Sequence, residues 1–115
     1  MKVLTTLEIA AKETLGLVPV PIPQWGDDCG VMVAKVSGRQ RAEFKKTLHE
    51  DDDNFTVMTK TVAYFACNED GLRLYKDAAD VEAQINNLVV IERIGEEALR
   101  ANAMLKTSLD DAKKN

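Results

Sequence analysis

Three groups of side chains in this sequence could do chemistry: the thiols of Cys29 and Cys67, the lone histidine His49, and the acidic run Glu50, Asp51, Asp52 and Asp53. A zinc site needs a full tetrahedral ligand set at recognisable spacing, which two cysteines and one histidine do not supply. A calcium loop opening at Asp51 would require glycine where Thr56 stands and glutamate where Val62 stands, so the acidic run reads as a solvated loop. A Cys-His nucleophilic pair stays open, since such partners meet in space rather than in sequence. Against it, Cys67 ends an apolar run, where a thiol usually packs rather than reacts. A chain without an export signal keeps its thiols reduced, so a disulfide is not expected. The reading is a non-catalytic protein with no cofactor and no metal.

Composition sets the frame for these residues. The chain has 115 residues, 45% hydrophobic and 30% charged, which suits one domain with a real core. Fifteen basic against nineteen acidic side chains leave a net charge of -4, and that charge opposes approach to a phosphate backbone. Nucleic acid is therefore not an expected partner. The longest apolar runs, Leu88 to Ile91 and Val62 to Cys67, fall far short of a membrane span, and Met1 to Leu17 lacks a signal peptide's apolar core. No membrane partner is expected, and the location reads as cytoplasmic.

The stretch from Trp25 to Leu48 reads as turn, strand and helix. Val31 to Val36 is a β-branched run of strand length, and Ser37 with Gln40 forms a capping box that starts a helix. Before it, L-V-P-V-P-I-P over Leu17 to Pro23 must be extended. Residues two apart direct their amides to the same edge of a strand, so Pro19, Pro21 and Pro23 remove donors from one side only. Val18, Val20 and Ile22 keep theirs for Val31 to Val36, across a turn at Gly26 to Gly30. The result is a hairpin with a blocked outer edge. That edge serves against aggregation in preference to offering a Pro-rich ligand. Trp25, the only tryptophan, stands at the hairpin's mouth, either as a lid on the core, the preferred reading, or as an exposed anchor.

Helices should make up most of the remainder. Thr5 and Glu8 form a second capping box, with Leu4 and Ile9 placed to close a staple across it. The stripe Ile9, Ala10, Ala11 and Leu15 should pack on the domain before Gly16 stops the helix. In the helix after Ser37, Ala42, Phe44 and Leu48 supply apolar contacts, while Arg39, Arg41, Lys45 and Lys46 form a basic, solvated face. Opposite an otherwise acidic molecule, that face is a candidate for self-association through complementary charge. Asp53 or Asn54 caps a helix over Phe55 to Cys67, on apolar positions Phe55, Met58, Val62, Phe65 and Ala66. The alternative is a hairpin of Val62 to Cys67 with Leu72 to Tyr75. Asn68 to Gly71 is a turn in both. Asp77 caps a further helix, Asn86 and Asn87 break it, and Ile91, Ile94, Ala98, Ala101 and Leu105 stripe a long core helix. Gly95 costs about 1 kcal/mol relative to alanine there, which close backbone packing would explain. The expected fold is α+β: a mainly helical single domain over residues 1–107, with an N-terminal hairpin at about residues 17–36 packed on about three to five helices. Ser108 to Asn115 reads as a frayed polar tail.

The combination of S-G-R-Q-R-A-E-F opening a helix, A-C-N-E-D-G-L-R-L-Y with D-A-A-D-V following, and E-E-A-L-R-A-N-A-M-L before a polar end resembles the tail assembly chaperones of long-tailed bacteriophages. The likeness covers roughly residues 17–115. It implies a non-catalytic protein of the host cytoplasm that binds the tape measure protein, helps recruit tail tube subunits around it, self-associates, and leaves the finished tail. Many such proteins are also made in a longer, frameshifted form, and Lys113, Lys114 and Asn115 can be encoded by a slippery run. The residues expected to meet partners are Trp25 and Tyr75 as aromatic anchors, with Arg39, Arg41 and Phe44 beside them. For Phe44, core packing is the preferred reading; for the two arginines, a solvated face. The alternative functions are a structural phage component retained in the virion, such as a head-tail connector or minor tail protein, and a small thiol enzyme using Cys29 or Cys67.

Overall fold

Two capping boxes set the first local structure. In a computed structural model, which describes residues 1–13 and 15–104, helix α1 (Thr6–Lys12) starts where the Thr5 hydroxyl accepts from the Glu8 amide and the Glu8 carboxylate reaches back. Helix α2 (Gly38–Lys45) starts in the same way at Ser37 and Gln40. Between them run β1 (Leu17–Pro21), a 3-10 turn (Pro23–Trp25) and β2 (Gly30–Ala34). After α2 come α3 (Asn54–Phe65), β3 (Ala66–Cys67), α4 (Ala78–Gln84) and α5 (Leu88–Ala101). The fold is α+β, as expected, with a three-stranded antiparallel sheet in the order β1-β2-β3.

The hairpin has its blocked edge at Pro19 and Pro21, but Pro23 opens the 3-10 turn instead of extending the strand, and β2 ends at Ala34 instead of Val36. Leu17 pairs with Ala34 and Pro21 with Gly30. The Ile22 amide donates to the Cys29 carbonyl at 2.8 Å, and the Lys35 amide to Gly16 at 2.9 Å. The even-numbered positions of β1 thus face β2, and the prolines face outward, where they present no N–H. The outward carbonyl of Pro21 accepts from Arg93 Nε on α5 at 2.6 Å, which ties the edge to the longest helix.

One core joins the sheet to the helices. Val20, Ile22 and Val33 from the hairpin meet Phe44 of α2, Val62 and Phe65 of α3, Val81 of α4 and Ile91 and Ile94 of α5. Phe44, Tyr64 and Phe65 form a cluster of tilted and edge-on rings with centroids 5.0 to 5.3 Å apart. Helices α3 and α5 cross at Gly95, where an added Cβ would lie 2.6 Å from Met58 Sδ. The glycine is there for close approach, as the sequence suggested.

Several expectations are corrected. Helix α1 stays outside the core: it has no buried residue, and Leu7 and Ile9 are 82% and 47% exposed. Its apolar side chains are too few to hold a seven-residue helix against the domain. Helix α3 ends at Phe65 instead of Cys67, because Ala66 and Cys67 are extended and pair with Val33 and Met32. The helix and hairpin readings of this region each hold for a part: Cys67 bridges Arg73, around a turn in which Asn68 Oδ1 accepts from the amides of Asp70 and Leu72 and Gly71 has φ +81°. Phe55 and Ala42 are exposed and contribute nothing to the core. Helix α5 ends at Ala101; Leu105 and the tail at residues 108–115 lie outside the described residues. Among the described residues, no helix is long and apolar enough to cross a membrane.

Candidate protein-interaction surface

The five residues expected to meet partners do not share one surface. Phe44 is fully buried in the aromatic cluster, so it is core. Arg41 is half-buried, and its Nη1 donates to the Asn102 carbonyl at 2.8 Å; it closes the end of α5 instead of standing in solvent. Tyr75 is half-buried against the core, and burial, with the nearby Asp80 carboxylate, pushes its phenol above the ordinary range. It is a packed residue with one edge to solvent. Arg39 is exposed, as a solvated face requires.

Trp25 is the one large apolar side chain of the five that lies outside the core. The 3-10 turn holds it with its amide donating to the Ile22 carbonyl at 3.0 Å, yet the ring is 43% exposed and outside the core. The lid reading is therefore corrected. Gln24, next to it, lines an open groove of about 360 Å³ together with Val89 and Arg93 of α5. Leu88 and Val89 are exposed as well. This patch and Arg41 lie toward opposite ends of α5, a helix about 20 Å long.

The sequence signal for Leu88 and Val89 was present and unused. Four consecutive apolar residues, Leu88 to Ile91, cannot all face one side of a helix. Val90 and Ile91 go into the core, so Leu88 and Val89 must go out.

A second surface is the outer face of the sheet. It is an open groove of about 650 Å³, lined by Pro19, Pro21, Met32, Cys67 and Leu74 and by the acidic Asp28 and Glu69. Leu74, and Leu72 nearby in sequence, are exposed. The two thiols differ across this groove. Cys29 is exposed; Cys67 is buried, donates toward the Met32 carbonyl, and has its thiol pushed up by burial, which makes it a poor nucleophile. Among the described residues, no group of three or more His, Cys, Asp or Glu side chains is placed to hold a metal.

The surface around α3 is held by ion contacts. Lys60 Nζ donates to Asp52 Oδ2 and to the Thr47 carbonyl, each at 2.7 Å, and Asp52 Oδ2 also accepts from the His49 amide. Arg73 stacks its guanidinium 4.3 Å from the centroid of the Tyr64 ring. The feature that sequence reasoning missed altogether is Asn102. No family model, curated protein or solved structure matches the chain. The likeness to tail assembly chaperones therefore stands on the residues named for it.

Proposed function

We propose that this protein is a non-catalytic tail assembly chaperone of a long-tailed bacteriophage, acting in the host cytoplasm on the tape measure protein and the tail tube subunits and absent from the mature virion. The observation that supports this reading is how much large apolar side chain remains in solvent around a core that is already complete. Trp25, Leu88 and Val89 lie outside the core cluster and are 43%, 48% and 59% exposed, and large apolar side chains left in solvent are what a protein-binding surface uses.

The magnitudes favour a reversible contact. Burying the still exposed half or so of these three side chains against a client helix contributes roughly 2–4 kcal/mol before costs, and association itself costs about 4–15 kcal/mol. A single site is therefore weak. Many copies along an extended apolar client hold it through high effective concentration, and each copy still leaves readily. Such a surface keeps a long coiled protein soluble without a tight lock.

The test is co-expression with the tape measure protein and, separately, with the tube subunit. Soluble complexes with either, lost on Trp25→Ala combined with Val89→Asp, are the expected result. Failure of the purified chain to associate with both overturns the proposal. Mass spectrometry of purified virions divides the chaperone from a retained structural component, since a chaperone is missing from the particle.

A further inference from the structure

We infer that the outer face of the sheet is a docking site for an amphipathic helix of another protein, one with apolar side chains along one side and lysine or arginine beside them. The contact is separate from the Trp25 patch and does not rest on the chaperone reading. Strand geometry makes the face. Successive residues of a strand point to opposite sides, so Val20 and Val33 enter the core while Pro19, Pro21 and Met32 point the other way. The core side is packed against α2 to α5. On the other side the groove is lined by strand and loop residues alone, and no residue of a helix borders it.

The form of the occupant follows from the backbone. Strand β2 is paired on both sides, by β1 and β3, and the prolines leave no N–H on the outer edge of β1. An extended segment would therefore find few hydrogen bonds here. A segment that docks must satisfy its own backbone groups, and a helix does. Helix on sheet is also the packing by which a two-layer domain buries a sheet face. The five residues of β1 span about 16 Å, the length of about three helical turns.

The chemistry of the occupant follows from the lining. Pro19 and Pro21 are exposed, and Leu74 is 41% exposed, which calls for apolar side chains opposite. Asp28 and Glu69 line the same groove, and no lysine, arginine or histidine does. Neither carboxylate is in an ion pair among the described residues. Asp28 is held at φ 60° in a turn where the Cys29 amide donates to the Gly26 carbonyl at 3.3 Å, so the backbone places it before a partner arrives. A basic flank on the helix meets these charges, and an acidic flank is repelled.

Cys29 supplies the readout, because its exposed thiol lines the groove. Its rate of labelling by iodoacetamide, a neutral reagent, is followed as a peptide of about 14 residues, roughly four turns, is added to the full chain. The probe carries leucine at helical spacing with lysine elsewhere; the control carries glutamate for lysine. The lysine peptide slows labelling to a plateau and the glutamate peptide does not. Asp28→Asn with Glu69→Gln, which keeps a residue tolerant of the left-handed region at 28, requires about 2- to 30-fold more peptide, the range for losing two exposed charge pairs. Asp51→Asn with Glu82→Gln, exposed acids outside the groove, makes the same change in net charge and leaves the titration as in the parent. So does Trp25→Ala with Val89→Asp, which separates this site from the client patch. Absence of protection, equal protection by the two peptides, a groove variant that titrates like the parent, or loss of protection in either control variant overturns the inference. Protection that appears without peptide as the chain is concentrated also overturns it, since a second copy then fills the groove.

Discussion

Asn102 joins three parts of the fold, and its replacement should show how much that joint contributes. It caps α5 and is 6% exposed. Its Oδ1 accepts from the Val36 amide at 2.8 Å, while Nδ2 donates to the carbonyls of Ala34 at 3.0 Å and Ala98 at 2.9 Å. Asn102→Ala strands the Val36 N–H and the Ala34 carbonyl at the end of β2. The Ala98 carbonyl keeps the Asn102 amide at 3.2 Å. Two groups left without partners, at about 1–3 kcal/mol each and lessened by the partial exposure of Val36, give a loss of about 2–4 kcal/mol. That is a large share of a stability of roughly 5–15 kcal/mol. With a urea dependence of about 1–3 kcal/mol per molar, the unfolding midpoint should fall by about 1–2 M at an unchanged slope. Asn102→Asp sharpens the test. It keeps the acceptor for Val36 but sets a carboxylate against two carbonyls, so its folded pKa rises above the unfolded value of about 3.9. Stability of that variant is then best below about pH 4 and declines as pH rises through the folded pKa. A midpoint shift for Asn102→Ala below about 0.3 M, or an Asp variant whose deficit is flat from pH 4 to 7, would refute the reasoning.

Other residues give shorter tests. Gly95→Ala gains about 1 kcal/mol of helix propensity but pushes Met58 Sδ off its place, at about 1–3 kcal/mol. The net is a loss of about 1 kcal/mol in urea unfolding, and Gly95→Leu, which cannot be accommodated, loses more than about 3 kcal/mol. Burial raises the Asp52 carboxyl, but hydrogen bonds from Lys60 and the His49 amide, with the Lys60 charge, outweigh it and hold the group below its usual range. A depressed carboxyl contributes stability that is present above the unfolded pKa and lost as pH falls through the folded one. Asp52→Asn should therefore cost about 1–2 kcal/mol at pH 7 and progressively less below about pH 4, measured by urea midpoints across pH. A thiol reagent should label one cysteine of the native chain rapidly, Cys29, and reach Cys67 only at the rate of unfolding. Rapid labelling of both would show the sheet's outer face to be open at Cys67.

What could be read from sequence was whatever is fixed locally. The capping boxes at Thr5 and Ser37 depend on residues three apart, and the side on which Pro19 and Pro21 lack donors follows from strand geometry alone. Gly95 was legible because a glycine inside an amphipathic stripe has few other reasons to be there. Strand β3 was not, because its two residues carry the same apolar character as the helix they end, and only pairing with Met32 and Val33 decides their conformation. Asn102 was invisible for a related cause: its partners Val36 and Ala34 are 66 and 68 positions away, and an asparagine near a helix end looks like any other C-terminal stop. The candidate partner-binding residues were the least legible. Residue type offers Phe44 and Arg41 as interface material, with a core place for Phe44 and a solvated one for Arg41 preferred, and it cannot separate these uses, because a small core and its hydrogen bonds use the same aromatic and guanidinium groups.

The division between residues that hold the fold and residues left outside it makes the interaction proposals separable from stability. Every strand and helix except α1 places at least one residue in or against the core. Leu7, Trp25, Leu88 and Val89 are outside that cluster and 43% to 82% exposed, so polar replacements there remove only part of a side chain's burial and should change folding stability by less than about 1.5 kcal/mol. If these side chains were only imperfectly packed parts of the core, replacing them would lower the unfolding midpoint in step with any loss of association. If they serve partners, association falls while the midpoint stays. The comparison holds for client binding at Trp25, and it can be made on a single set of purified variants.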